Sequence, residues 1–158
     1  MIFVILGTQK FQFNRLLLTL DDCVSKGKIN EEIVAQTGNS DYEPHHFKCY
    51  PFLGKDEFES YIAKADIIIT HGGVGSIMTA LSKEKPVIVF PRLAKYHEHV
   101  DDNQTEIASV FDAKGYVLLC RDSDDLAQCI EKAKRYTFAR YVSQTGTIVN
   151  FIEDFLKS

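Results

Sequence analysis

A three-layer α/β/α domain built on a parallel sheet is the fold class that the sequence predicts, on three observations. Short apolar runs alternate with segments of helical periodicity along the chain, the order of βα units. The runs are apolar at consecutive rather than alternate positions, as in strands buried on both faces. Polar or glycine-rich turns follow several of the runs, where folds of this class bind ligands. The 158 residues suit one domain with a sizeable core, so 1–158 is read as a single unit.

Ile2–Leu6 is the first strand, a run without a polar residue. Phe13–Val24 follows as a helix, with Phe13, Leu16, Leu17, Leu20 and Val24 at helical spacing. Ile33–Gln36 gives a short second strand before the turn formers Gly38, Asn39 and Ser40. Phe47–Tyr50 is the third strand. Asp56–Ala65 is a helix whose apolar stripe is Phe58, Tyr61, Ile62 and Ala65. Strand Asp66–Thr70 and helix Ser76–Ser82 flank a glycine-rich turn, and Pro86–Phe90 is the next strand. Asn103–Phe111, Tyr116–Leu119 and Asp124–Arg135 read as helix, strand and helix. The last segment, about 138–157, is expected to be a helix with Ile148, Ile152 and Phe155 on one side, packing on its own domain or reaching a partner. Right-handed crossovers put the loops Gly7–Gln12, Pro51–Asp56, His71–Ser76 and Pro91–Asp102 on one edge of the sheet.

The composition is ordinary for a globular chain, with 45% hydrophobic and 25% charged residues. A net charge of −4 argues against a nucleic-acid partner, which demands clustered Lys and Arg. No apolar stretch approaches the ~20 residues of a membrane span. Met1–Leu6 reads as a strand rather than a signal peptide, so a cytoplasmic protein is expected. Cys23, Cys49, Cys120 and Cys129 form no C-x-x-C pair; buried reduced thiols are the default, with zinc or redox use as the alternative.

The segment Ile67-Ile-Ile-Thr-His-Gly-Gly-Val-Gly-Ser76 is the most telling. A strand entering a helix through such a turn aims free N–H groups and the positive helix end at one spot, a ready site for phosphate. Gly72, Gly73 and Gly75 allow close approach to the backbone, and His71 and Ser76 add donors at the rim. The pattern is neither the dinucleotide fingerprint nor the P-loop. Gly7-Thr8-Gln9 leaves the first strand directly and is either an ordinary turn or a second source of N–H groups for the same diphosphate. Lys95–Gln104 is unusually polar. His97 and His99 with Glu98 and Asp101 are candidate metal ligands. A solvated loop with Asp101 or Asp102 capping a helix, or sugar recognition by Asp102 and Gln104, are the alternatives. His45-His46 reads as surface.

Gly7-Thr-Gln-x-x-Phe-x-Phe-Asn-Arg-Leu16, Ala65–Ser76, Lys85-Pro-Val-Ile-Val-Phe-Pro91 and His99-Val-Asp-Asp-Asn-Gln104 together resemble the nucleotide-sugar-binding half of GT-B glycosyltransferases. Their order and spacing are similar to the C-terminal domain of family 28. The likeness is strongest to one-domain soluble subunits of split transferases, as in bacterial capsule and exopolysaccharide synthesis and in the eukaryotic dolichol-linked N-acetylglucosaminyltransferase. Asn103-Gln104 departs from the His-Gln of many relatives.

The resemblance implies a Rossmann-like fold equivalent to the C-terminal half of a GT-B enzyme. It implies a UDP-sugar donor with its diphosphate on Gly7, Thr8, Gln9, His71, Gly72, Gly73, Gly75 and Ser76. Tyr50, Phe52 and Leu53 then lie near the uracil, and Asp102 and Gln104 face the donor sugar. No metal ion or other cofactor is expected, because fixed N–H dipoles stabilise the leaving diphosphate. A complete GT-B enzyme has two such domains, so the acceptor site is expected on a membrane-associated partner that recruits the chain to the cytoplasmic face. The partner is also expected to carry the general base, with His99 as the candidate in this chain. The function so implied is the donor-binding catalytic subunit of an inverting transferase that moves a hexose to a lipid-linked saccharide. A non-catalytic accessory subunit, an unrelated nucleotide-binding domain and a sugar-nucleotide epimerase are the rival readings.

Overall fold

Parallel strands need long crossovers, and the computed structural model, which describes residues 1–141, supplies them with helices. The elements are β1 (Ile2–Ile5), α1 (Asn14–Ser25), β2 (Ile33–Gln36), β3 (Lys48–Tyr50), α2 (Lys55–Lys64), β4 (Ile67–Thr70), α3 (Val74–Ser82), β5 (Val87–Val89), α4 (Asn103–Ala113), β6 (Leu118–Leu119) and α5 (Leu126–Arg135). A short 3-10 turn, Ala94–Tyr96, lies between β5 and α4. The sheet order is β3-β2-β1-β4-β5-β6, parallel at every pairing.

β1 sits in the middle and is buried throughout. Ile2 and Val4, with Leu6 beyond the strand end, join Leu16, Leu17 and Leu20 of α1 and Leu126 and Ile130 of α5 on one face. Phe3 and Ile5 join Ile62 of α2, Ile77 and Ala80 of α3, and Ile107 and Phe111 of α4 on the other. Two covered faces explain the unbroken apolar runs; each buried Leu, Ile or Phe contributes about 1.5–3 kcal/mol. α5 is capped by Asp125, whose carboxylate accepts from the Gln128 amide at 3.3 Å. Its last turn holds Lys132, Lys134 and Arg135, matched to the negative helix end.

Two expected boundaries are corrected. α3 starts at Val74 rather than Ser76, with the Ile77 amide donating to the Gly73 carbonyl at 3.1 Å; Gly75 and Ser76 therefore lie in its first turn. The final helix does not begin at Phe138, because residues 138–141 carry no helical structure. The backbone turns extended at Tyr136, Ala139 donates to the Gly115 carbonyl at 2.8 Å, and Tyr141 packs edge-on against Tyr116. The rest of that expected helix, including Ile148, Ile152 and Phe155, lies outside the described residues. Among the described residues no helix is long and apolar enough to cross a membrane.

Candidate functional site

The chain leaves β1 toward β2 on one side, whereas β4 lies on its other side. Between the C-terminal ends of β1 and β4 a crevice opens, at the point where ligands of such sheets bind. Ile5 pairs with Thr70 in register, and Thr70 Oγ1 donates to the Ile5 carbonyl at 3.1 Å. The turns that begin at Gly7 and His71 therefore emerge side by side.

They line one cavity of about 360 Å³. Gly7, Thr8, Gln9, His71, Gly73, Gly75 and Ser76 are in its wall, together with Ile5, Gln36, Phe58, Val74 and Thr79. Helix geometry leaves the first N–H groups of α3 without intrahelical acceptors. The amides of Thr8, Gln9, Gly73, Val74, Gly75 and Ser76 donate to no protein acceptor among the described residues. A concave surface carrying that many free donors beside a positive helix end is suited to a diphosphate.

His71 is not at the rim as expected; it is 3% exposed. Its Nδ1 lies 3.4 Å from Gln104 Oε1 and its Nε2 lies 3.3 Å from Ser76 Oγ. Burial, with Arg92 nearby, pushes its pKa down to about 4, so the ring is neutral at pH 7. Because the Gln104 oxygen only accepts, Nδ1 carries the proton and Nε2 accepts from the Ser76 hydroxyl.

The glycines divide by what they face. A Cβ on Gly7, which has φ +76°, would stand 2.7 Å from His71 Nε2, and one on Gly73 would run into the same ring. A Cβ on Gly72 would lie 2.5 Å from Gln104 Cβ, and Gly72 does not line the cavity. These three are bare because of protein packing, a correction to the expectation that Gly72 and Gly73 are bare for a ligand. Around Gly75 a Cβ would meet open space.

The other expected residues are more dispersed. Tyr50 ends β3 and Phe52 and Leu53 follow it on the same edge, none of them lining the cavity, and Phe52 is exposed. Gln36 joins the two regions, its Nε2 donating to the carbonyls of Gly7 at 3.2 Å and Pro51 at 2.9 Å. Gln104 is buried rather than turned outward; its Oε1 accepts from the amides of Gly72 and Arg92, each at 3.2 Å. Its side-chain nitrogen donates to nothing among the described residues. Asp102 precedes α4 and accepts from the Ala94 amide at 2.9 Å. His99 sits outside the cavity wall, its Nδ1 3.2 Å from Asp101 Oδ1 and its ring against Phe11.

The possible ligand set of His97, His99, Glu98 and Asp101 does not converge. Glu98 is 1% exposed and accepts a two-pronged pair from Arg15 at 2.9 and 3.0 Å, while His97 is exposed. Among the described residues no three His, Cys, Asp or Glu side chains gather. The four cysteines are free, and the fold brings the Cys120 and Cys129 thiols within hydrogen-bond reach. Sequence reasoning missed Gln36, Phe58, Arg15 with Glu98, and Arg92. The signals available for Gln36 and Arg92 were a polar residue closing an apolar strand and a cation just past the Phe90-Pro91 that follows β5.

A family model described as the glycosyltransferase family 28 C-terminal domain matches residues 1–156. The UDP-N-acetylglucosamine transferase subunit ALG13 of Debaryomyces hansenii is 26% identical over 109 residues, covering 69% of this chain and 50% of that protein. The chain thus spans about half the length of that relative. The NMR solution structure of ALG13 superposes with a TM-score of 0.63 at 17% identity, over 99% of this chain and 96% of that one. The crystal structure of Acinetobacter baumannii MurG gives 0.56 at 17% identity, over 96% of this chain and 49% of that one.

Proposed function

The chain belongs to the glycosyltransferase family 28 C-terminal domain family, with the Rossmann-like fold of half a GT-B enzyme, and from that premise we propose that it is the donor-binding catalytic subunit of a two-component inverting transferase. It takes a hexose from a UDP-sugar and passes it to a lipid-linked saccharide held by a membrane-associated partner. N-acetylglucosamine is the first sugar to test, since the relative's name specifies it.

One observation supports this reading above the others. Six residues of two turns that line one crevice at the β1/β4 switch point have backbone amides without protein acceptors among the described residues. Breaking the anomeric C–O bond builds negative charge on the leaving diphosphate, and donors fixed in place stabilise that charge without reorganising. The α3 N-terminus adds its partial positive charge. His71, neutral and hydrogen-bonded, orients Ser76 rather than contributing charge. The base that deprotonates the acceptor hydroxyl belongs to the partner; His99, steadied by Asp101, is the candidate within this chain.

Calorimetric titration tests the donor assignment. UDP and UDP-sugars bind and NAD does not; binding of NAD with no response to UDP would overturn it. Co-purification with the acceptor-side protein, followed by transfer assays, tests the division of labour. The paired complex loses activity when the His71–Ser76 turn is altered, whereas an accessory subunit would leave it unchanged.

A further inference from the structure

Arg92 is 1% exposed and is the bulkiest fully buried side chain among the described residues. Its Nη2 donates to the Leu6 carbonyl at 2.6 Å, and its Nη1 donates to the carbonyls of Phe11, Gln12 and Glu98 at 3.1, 3.0 and 3.2 Å. Phe13 lies under the guanidinium, 5.0 Å from ring centroid to its carbon. Its Nε has no hydrogen-bond partner among the described residues. Among the described residues no carboxylate lies within 4 Å of it; Glu98, whose charge is felt at Arg92, gives its carboxylate to Arg15 and the Leu93 amide. Buried cations are normally paired, because an uncompensated one is costly. This one is tied to both ends of the loop that carries Gly7, Thr8 and Gln9, and its field reaches the crevice, where it helps push the His71 pKa down.

We propose that Arg92 is a positioning residue of the donor site: it fixes the shape of the 6–12 loop through four carbonyls, and its unpaired charge attracts the anionic diphosphate that binds above that loop. The proposal rests on the donor reading but is testable apart from it, with inorganic pyrophosphate and with the His71 ring as a probe of the field. His71 is the suitable reporter because the groups around it are Arg92, Gln104, Ser76 and His99.

The experiment compares the unaltered chain with Arg92→Met and Arg92→Lys, each checked by circular dichroism. In Arg92→Met the His71 titration, followed by NMR, moves up from about 4, and pyrophosphate and UDP bind about tenfold or more weakly, as expected for loss of one nearby buried charge. In Arg92→Lys the charge is kept but the two-nitrogen fork that holds the four carbonyls is not, so the His71 titration stays low and affinity falls less than about tenfold. A folded Arg92→Met with unchanged His71 titration and pyrophosphate affinity overturns the proposal. If the Met variant does not fold, the Lys variant decides: a tenfold loss with His71 unmoved would assign the role to shape alone and overturn the charge. A parent that binds pyrophosphate but not UDP would sink the donor reading and leave this comparison intact.

Discussion

Gly7 and His71 are in direct contact across the β1/β4 switch point: a Cβ on Gly7 would stand 2.7 Å from His71 Nε2. The two turns that form the crevice are therefore packed on one buried imidazole. Gly73 closes on the ring from another side. Glycine at these two positions serves the shape of the crevice, and only through it the ligand.

Gly73→Val is accordingly a test of packing, whereas Gly75 offers the cleaner test of binding. A Cβ at Gly75 meets nothing within 4 Å yet enters the cavity wall. Gly75→Ala gains up to about 1 kcal/mol of helix propensity while weakening UDP about tenfold by crowding the free amides of α3. Gly73→Val and Gly7→Val lower the melting temperature; strain and overpacking together cost about 2–4 kcal/mol. Thermal melts and titrations on the same samples separate the two groups, and a Gly75→Ala chain that binds UDP like the parent removes this turn from the site.

His71 predicts an acid-labile fold. Its folded pKa, about 4, lies below the ordinary 6.5, so the unfolded chain binds the extra proton first. The stability held in the neutral ring is complete above pH 6.5 and is lost as pH falls from 6.5 toward 4, at most about 3 kcal/mol. His71→Asn removes this dependence, leaving a flatter profile between pH 4 and 6.5 in urea melts. An equally steep profile in the variant would assign the sensitivity to another group.

The Arg15–Glu98 pair anchors the loop between β5 and α4. Glu98 is buried and accepts from Arg15 and from the Leu93 amide. Glu98→Ala leaves Arg15 with only Asp122 at 3.3 Å and the Pro91 carbonyl at 3.0 Å, and the Leu93 amide without its acceptor, at a cost of about 1–3 kcal/mol, read as a lower urea midpoint. Replacing Arg15 as well, by Met, recovers part of the loss.

The layer order and nearly every element were legible because strands covered on both faces must be apolar throughout, as β1 and β4 are, and because helices such as α1 repeat their apolar positions. The start of α3 was less so, since Gly73 and Gly75 carry no side chain whose spacing marks a helix. Phe138 and Tyr141 fit a helical stripe equally well as aromatic packing against Tyr136 and Tyr116, and periodicity cannot tell these apart. Gln104 and Arg92 were hidden for a different reason. Polar residues in a loop, like Arg92, or in the first turn of a helix, like Gln104, read as solvated or ligand-facing, and only tertiary contact shows that these two hold the loops from within.

Chelation tests the expectation that amide dipoles stand in for a metal. EDTA leaves transfer by the assembled enzyme unchanged, and added zinc or manganese does not raise it. A loss restored by metal would bring His97 and His99 back as ligands, with Glu98 released from Arg15.

Gln36 offers the sharpest test of how the crevice and the loop after β3 cooperate. One side-chain nitrogen bridges the Gly7 carbonyl in the turn after β1 and the Pro51 carbonyl beside Tyr50, Phe52 and Leu53. Gln36→Leu keeps the bulk but leaves both carbonyls without that donor, at about 1–3 kcal/mol of stability. If the loop after β3 holds the uracil, UDP affinity falls about tenfold, because the two halves of the ligand no longer meet a preorganised surface. Inorganic pyrophosphate, which never reaches that loop, loses no more than about threefold, since a single neutral hydrogen bond behind its turn is worth about 1 kcal/mol. Gln36→Glu cannot donate to either carbonyl and places a negative charge in the cavity wall, so it weakens both ligands. Equal losses for UDP and pyrophosphate in the folded Leu variant would detach Tyr50–Leu53 from nucleoside binding and confine the site to the β1/β4 crevice.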